Sequence, residues 1–232
     1  MFYFIRVYGK IPLYIQTEIP NIAKHEKEGF KMEYIGDVLY DYASGLYANL
    51  TNRCPCRCEF CIRTMVDSLG DADSLWLKRE PTVDEVKELL KEWDLSRYTE
   101  LVFCGYGEPM ERLDEVLALC RYIKGTTNLK TRINTNGLSD LLHGRETAPE
   151  LDGLVDAISI SLNAASAEKY DALCHPKFGL ESWPAILKFT ENVKKYVPDV
   201  TMSVVGGTIP KEDVEICRQI AQKQLGVKFR VR

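Results

Sequence analysis

Eight cysteines lie in 232 residues, and four of them fall within Cys54-Pro55-Cys56-Arg57-Cys58-Glu59-Phe60-Cys61. Thiolates are the ligands of soft metals and of iron–sulfur clusters. Cys54, Cys58 and Cys61 stand in the spacing C-x3-C-x2-C. Four thiolates normally saturate a four-iron cubane, so three on one loop leave one iron without a protein ligand. An open coordination position separates a catalytic metal site from a closed structural one. A small molecule with an amine and a carboxylate can chelate that iron. The competing chemistry is a structural zinc knuckle, which pairs two C-x2-C elements or adds histidines. The chain has only His25, His143 and His175, and no second cysteine pair. Cys56 is an extra thiol in the loop, a substitute ligand or a bystander, and a bystander is expected.

Other residues carry weaker signals. Cys120 and Cys217 fall on apolar helix faces, where a thiol is a small core residue. Cys104 ends a strand beside Gly105-Tyr106-Gly107-Glu108-Pro109 and is read as core. Cys174-His175-Pro176 reads as a plain loop, although a thiol beside a base is one form of nucleophile. Thr135, Asn136, Ser161 and Asn163 serve either as turn caps or as ligand contacts. Arg145 reads as a surface ion pair rather than an anion site.

These groups need a scaffold, and the chain alternates strand-like and helix-like segments from about residue 45. That rhythm predicts β/α units around a parallel sheet. Strands are expected over 46–51, 100–104, 130–135, 156–162, 200–205 and 227–231. Thr82-Val83-Asp84-Glu85 forms a capping box opening a helix with apolar positions Val83, Val86, Leu90 and Trp93. A second helix faces inward through Leu113, Val116, Leu117, Cys120 and Ile123. Further helices are expected near 166–173, 183–197 and 211–222. Six such strands predict an α/β fold, a partial (β/α)6 TIM-type barrel open on one side.

The bulk numbers exclude several classes. A net charge of −4 argues against general nucleic-acid binding, which needs a basic surface. No window reaches the ~18 apolar residues of a membrane helix. With no signal peptide and clustered thiols, a reduced, cytoplasmic protein is expected.

The cysteine spacing with Phe60 before the last thiol resembles the signature of the radical S-adenosylmethionine (SAM) superfamily. Tyr106-Gly107-Glu108-Pro109 resembles its Gly-Gly-Glu-Pro turn, with Tyr106 in place of the first glycine. Asn134-Thr135-Asn136-Gly137 resembles the polar turn after the third strand. Ser159-Ile160-Ser161-Leu162-Asn163 resembles the fourth-strand segment, and Val204-Val205-Gly206 the adenine-lining fifth strand. The resemblance implies a 4Fe-4S cluster on Cys54, Cys58 and Cys61, with SAM on its open iron. It further implies cofactor contacts at Phe60, Gly105, Tyr106, Gly107, Glu108, Pro109, Thr135, Asn136, Ser161, Asn163 and Val205. The activity implied is reductive cleavage of SAM to a 5′-deoxyadenosyl radical that acts on an unidentified substrate. An electron donor such as a flavodoxin or ferredoxin is the partner this requires. Leu50-Thr51-Asn52-Arg53-Cys54, Phe103-Cys104-Gly105-Tyr106-Gly107-Glu108-Pro109, Arg132-Ile133-Asn134-Thr135-Asn136-Gly137 and Ser159-Ile160-Ser161-Leu162-Asn163-Ala164 are similar to the TatD-associated radical SAM proteins.

Two other functions compete. An iron–sulfur electron carrier would need no small-molecule pocket, and the polar strand ends argue against it. An activase of a partner protein would be of this size, but 159–163 lacks the Asp-x-Lys pattern of glycyl-radical activases. Residues 1–31 do not fit the β/α rhythm. Lys27-Glu28-Gly29 is compatible with purine-rich codons resembling a ribosome-binding site before Met32. Residues 1–31 are therefore expected to be a non-native or disordered extension, and 32–232 the core domain. An intact mass beginning at Met1 would refute this.

Overall fold

The computed structural model describes residues 33–43 and 45–232. The expected extension, 1–31, lies outside them. Seven strands follow one another in chain order across one sheet: β1 (Leu39–Tyr42), β2 (Gly45–Ala48), β3 (Glu100–Phe103), β4 (Lys130–Thr135), β5 (Ala157–Ser161), β6 (Asp199–Val204) and β7 (Lys228–Val231). β1 pairs antiparallel with β2, and each later pair is parallel. Among the described residues β1 and β7 do not pair, so the sheet is an open barrel. The six parallel strands are those expected from the sequence, and β1 adds a short antiparallel strand before them.

Alternation is clearest in β4, which is buried at every second position. Ala48, Phe103, Ile133, Ile158 and Val200 are in register and all buried. They meet α1 (Val83–Glu92), α2 (Leu113–Thr126), α5 (Ser182–Val193) and α6 (Lys211–Gln219) in the main core. The next residues along each strand face the other way, and there the register runs Asn134, Ser159, Thr201 and Lys228. One face of the sheet is therefore apolar and covered, and the concave face is polar.

Helix boundaries follow local chemistry. Thr82 Oγ1 accepts from the Glu85 amide at 3.2 Å while Glu85 Oε2 accepts from the Thr82 amide at 2.8 Å, which completes the capping box. Ser166 caps α4 (Ala167–Cys174), which ends at His175 in the left-handed region. The short α3 (Ser139–His143), closed by left-handed Gly144, has no sequence-based expectation. After α6 the helix widens into a π turn over Ile220–Gln224 rather than continuing regularly to 222.

Candidate functional site at the strand ends

The cysteine loop leaves β2 through a clamp of polar side chains. Asn52 accepts from the Leu77 amide at 3.1 Å and donates to the Leu77 carbonyl at 2.7 Å. The buried Arg112 guanidinium donates to the carbonyls of Leu50 at 3.2 Å and Pro81 at 2.6 Å. The loop then leans on the end of α4: Arg57 N donates to Cys174 O at 2.9 Å and Glu59 N to Leu173 O at 3.1 Å. Its backbone is thus fixed independently of any bound group.

The thiols of Cys54, Cys58 and Cys61 are free and half-buried. Asn136 Nδ2 lies 3.9 Å from the sulfurs of both Cys54 and Cys56. Cys174 and Cys56 donate to Cys58 and lower its pKa to about 4, against the opposing effect of burial. Bonding to Cys54 and Cys58, with burial added, pushes the Cys56 thiol up. Its sulfur is also 3.7 Å from the Tyr170 hydroxyl. Burial raises Cys61. Phe60 is half-buried against the main core. Cys174 is the last residue of α4, buried against the cysteine loop, rather than part of a plain loop.

The turn after β3 is built around its glycines. A Cβ on Gly107 would meet the carbonyl oxygens of Thr51 at 2.2 Å and Arg53 at 2.6 Å, and one on Gly105 would meet Asn49 Oδ1 at 2.1 Å. These glycines let the turn press against the chain entering the cysteine loop. Tyr106 points away from the thiols, into a small cluster with Tyr40 and Leu75. Its hydroxyl donates to the Val66 carbonyl, so any ligand contact at this position belongs to the backbone.

Glu108 is the electrostatic centre of the strand ends. Its fully buried carboxylate accepts from Thr135 Oγ1 at 2.7 Å, the Asn136 amide at 2.7 Å and the Met110 amide at 3.1 Å. Burial raises its pKa to about 7, and those three donors hold the rise back. Pro109, also buried, starts the 3₁₀ turn that Glu108 caps. Thr135 spends its hydroxyl on Glu108 and on the Gly137 amide at 3.0 Å, a positioning role. Asn136 touches both systems, with its backbone on Glu108 and its side chain beside the thiols.

The remaining expected residues lie on neighbouring strand ends. Ser161 accepts from Arg232 at 2.9 Å. Asn163, buried with φ 56°, leaves Oδ1 without a partner. Val205 follows β6, half-buried, its carbonyl taken by Thr208 at 2.7 Å. The sequence reading missed Cys174, Tyr170 and Asn134, whose Oδ1 is buried and unpartnered. Arg145 pairs with Glu150, and Cys120 and Cys217 are core, as expected.

Among the described residues no three His, Cys, Asp or Glu side chains converge on one ion. A cubane asks something different: each thiolate on its own iron. The donor set of three free thiols on one loop fits that requirement. The orphaned acceptors Asn134 Oδ1 and Asn163 Oδ1 fit a ligand that brings N–H or O–H donors. A recess of roughly 380 Å³ opens beside Cys54, lined by Pro55, Arg57, His175 and Lys177.

Comparison with known proteins agrees. No curated protein matches the chain. A radical SAM methyltransferase from Sphaerobacter thermophilus superposes with TM-score 0.56 at 17% identity, over 83% of this chain and 57% of that one. SuiB of Streptococcus suis bound to S-adenosylmethionine gives 0.59 at 16%, over 82% and 40%. Methylornithine synthase (PylB) gives 0.51 at 14%, over 81% and 52%. The chain thus spans 57% or less of the length of each of these structures. At such identities the likeness establishes the fold. The family model for the radical SAM superfamily matches residues 48–220, well over half the chain and every strand from β3 to β6, and on that match the chain belongs to the radical SAM superfamily.

Proposed function

We propose that this chain is a radical SAM enzyme in which Cys54, Cys58 and Cys61 hold a 4Fe-4S cluster and SAM binds beside it. When bound, the cluster supplies the electron that cleaves SAM to methionine and a 5′-deoxyadenosyl radical, which acts on an unidentified substrate. One observation carries the reading: Asn136 joins the thiol loop to the buried Glu108 carboxylate at the carboxyl ends of the strands. In α/β barrels that end of the sheet is where sites are built.

The chain's residues then divide the work. Cys174 and Cys56 donate to the Cys58 sulfur and favour its thiolate form. Glu108, once ionised, presents its remaining acceptor capacity to the amino group of SAM. Asn163 offers an acceptor, and Ser161 a hydroxyl, to the ribose or carboxylate. Gly105 and Gly107 shape the turn, with Tyr106 anchoring it and Pro109 starting the following 3₁₀ turn. Phe60 and Val205 supply apolar surface for adenine. The finer assignment is to the TatD-associated radical SAM proteins, with 32–232 as the core domain and a flavodoxin or ferredoxin as electron donor. An iron–sulfur carrier is disfavoured by the unpartnered acceptors on the concave side, which a carrier has no use for.

The test is anaerobic reconstitution with iron and sulfide, followed by SAM and a strong reductant. Four irons per chain, a cluster spectrum perturbed by SAM and release of 5′-deoxyadenosine are expected. Cys58→Ala should abolish that release, and full turnover in this variant would overturn the assignment.

A further inference from the structure

The concave face below the thiol loop holds positive charge to which the proposed cofactor site assigns no role. β7 sends two arginines onto this face, two residues apart and therefore on the same side. Arg230 Nη2 reaches back across the sheet to Ser159 Oγ at 3.3 Å, and Arg232 Nη2 reaches Ser161 Oγ at 2.9 Å. Both side chains therefore bend back over the half-barrel, while both residues keep contact with solvent.

Their surroundings are unusual in one respect. The carboxylates on this face are already taken: Glu100 by Arg132 at 2.8 Å and Asp199 by Lys228 at 2.8 Å. Among the described residues neither Arg230 nor Arg232 makes an ion pair. Burial pulls the Arg232 guanidinium below its ordinary value; the neighbouring Cys104 thiol opposes that shift and the charge of Arg230 adds to it. Two like charges gathered without a counter-ion are costly in a partly desolvated place. A recess of roughly 60 Å³ opens beside Arg230, lined by Arg132, Ser159, Asp199, Thr201 and Arg230 itself. Guanidinium forks match the oxygens of a carboxylate or phosphate, and serine hydroxyls hold such forks in place.

We propose that Arg230 and Arg232, laid over Ser159 and Ser161 beside this recess, form an anion subsite that receives a carboxylate or phosphate group of the enzyme's substrate. Register sets Arg230 apart from the cofactor residues, while Arg232, on Ser161, adjoins them. Arg230 aligns with Ser203 and Ser161, yet its guanidinium bonds Ser159, one layer further from the thiol loop. The recess continues in that direction, to Ala157 and Asp199 at the first positions of β5 and β6. The assignment to the substrate rests on the SAM-cleaving reading; the anion site itself stands on the arginines alone.

Titration of the full chain with inorganic phosphate at low ionic strength, followed by calorimetry, tests this. Saturable binding at one site per chain is expected. Arg230→Gln and Arg232→Gln should each weaken it by roughly tenfold or more, the worth of a charge-assisted pair. Arg230→Lys, which keeps the charge and loses the fork, should fall between. Arg121→Gln, on the exposed side of α2, should bind phosphate as the wild type does, and thermal melting checks that each variant is folded. Absence of saturable binding, or binding indifferent to both arginine variants, overturns the site. Adding SAM to cluster-loaded protein separates the sources: phosphate retained alongside SAM supports the substrate role. Phosphate displaced by SAM overturns it and gives the arginines to the carboxylate of SAM. Deoxyadenosine release is read separately, so a chain that binds phosphate but never cleaves SAM sinks the proposed function and leaves the anion site standing.

Discussion

The two faces of the one sheet are built from alternate residues of the same strands, and they obey different rules. On the covered face Phe103, Ile133, Ile160 and Met202 are all fully buried. On the concave face the same strands carry Asn134, Ser159, Ser161 and Thr201, with Arg230 and Arg232 beyond. Parallel sheets covered on both sides read as continuous apolar runs. Here β5 reads Ala-Ile-Ser-Ile-Ser instead. The fold therefore draws its stability from one face and leaves the other free to carry polar groups whose partners are not all within the chain. That division is testable by comparing what the two faces lose when altered.

The largest loss is expected on the covered face. Phe103→Ala removes a fully buried ring between Ala48 and Ile133, and should cost about 3–5 kcal/mol of unfolding free energy. Urea denaturation measures it, and a cost under about 1 kcal/mol would mean that this face is not the core. The next effect belongs to the boundary between the faces. Glu108 titrates near 4.5 when unfolded and about 7 when folded. A raised carboxyl pKa means that the folded state holds the proton more tightly, so its contribution is full below pH 4.5. That contribution is lost as pH climbs through 7, by about 3 kcal/mol in all. Urea midpoints between pH 4.5 and 7.5 should fall for the wild type and stay flatter for Glu108→Gln. Parallel curves would assign the slope to other groups.

How legible each face was in the sequence follows from the same division. The covered face announces itself through periodicity: the inward positions Leu113, Val116, Leu117, Cys120 and Ile123 of α2 are all buried, and Lys130–Thr135 is a strand with its expected ends. Strand ends elsewhere moved by one to three residues where side chains took over from ladder bonds. The strand expected over 46–51 stops at Ala48 because Asn49 and Asn52 bind backbone groups of the segment around Leu75 and Leu77. The thiol loop was legible as a spacing, and Glu108 as part of a turn. That Glu108 also accepts from Thr135 and Asn136 was not, because those donors lie at the end of another strand. Tyr106 turned into its own aromatic cluster for the same kind of reason: Trp76, edge-on at 5.2 Å, comes from a loop with no periodic signal. Cys174 is one position beyond the helix expected over 166–173, and only the packing of α4 brings it to Cys58. Arg230 and Arg232 did carry a signal, an i, i+2 pair of cations on a strand, but nothing in the sequence says that both lack a carboxylate.

The smallest effect sharpens the comparison most. Arg230→Met leaves a side chain of similar reach on the concave face and removes one uncompensated charge. The single hydrogen bond lost, to the buried Ser159 at 3.3 Å, is long and therefore weak. Against that loss stands relief of the repulsion from Arg232. The two terms oppose each other, so the change in unfolding free energy should stay within about 0.5 kcal/mol of zero, as for substitutions away from the core. Thermal melts in low salt, where repulsion is least screened, are the sensitive measurement. A melting point unchanged or raised would mean that the chain keeps this arginine for something other than its own fold. A loss approaching that of Phe103→Ala would erase the distinction between the faces and make the guanidinium part of the scaffold.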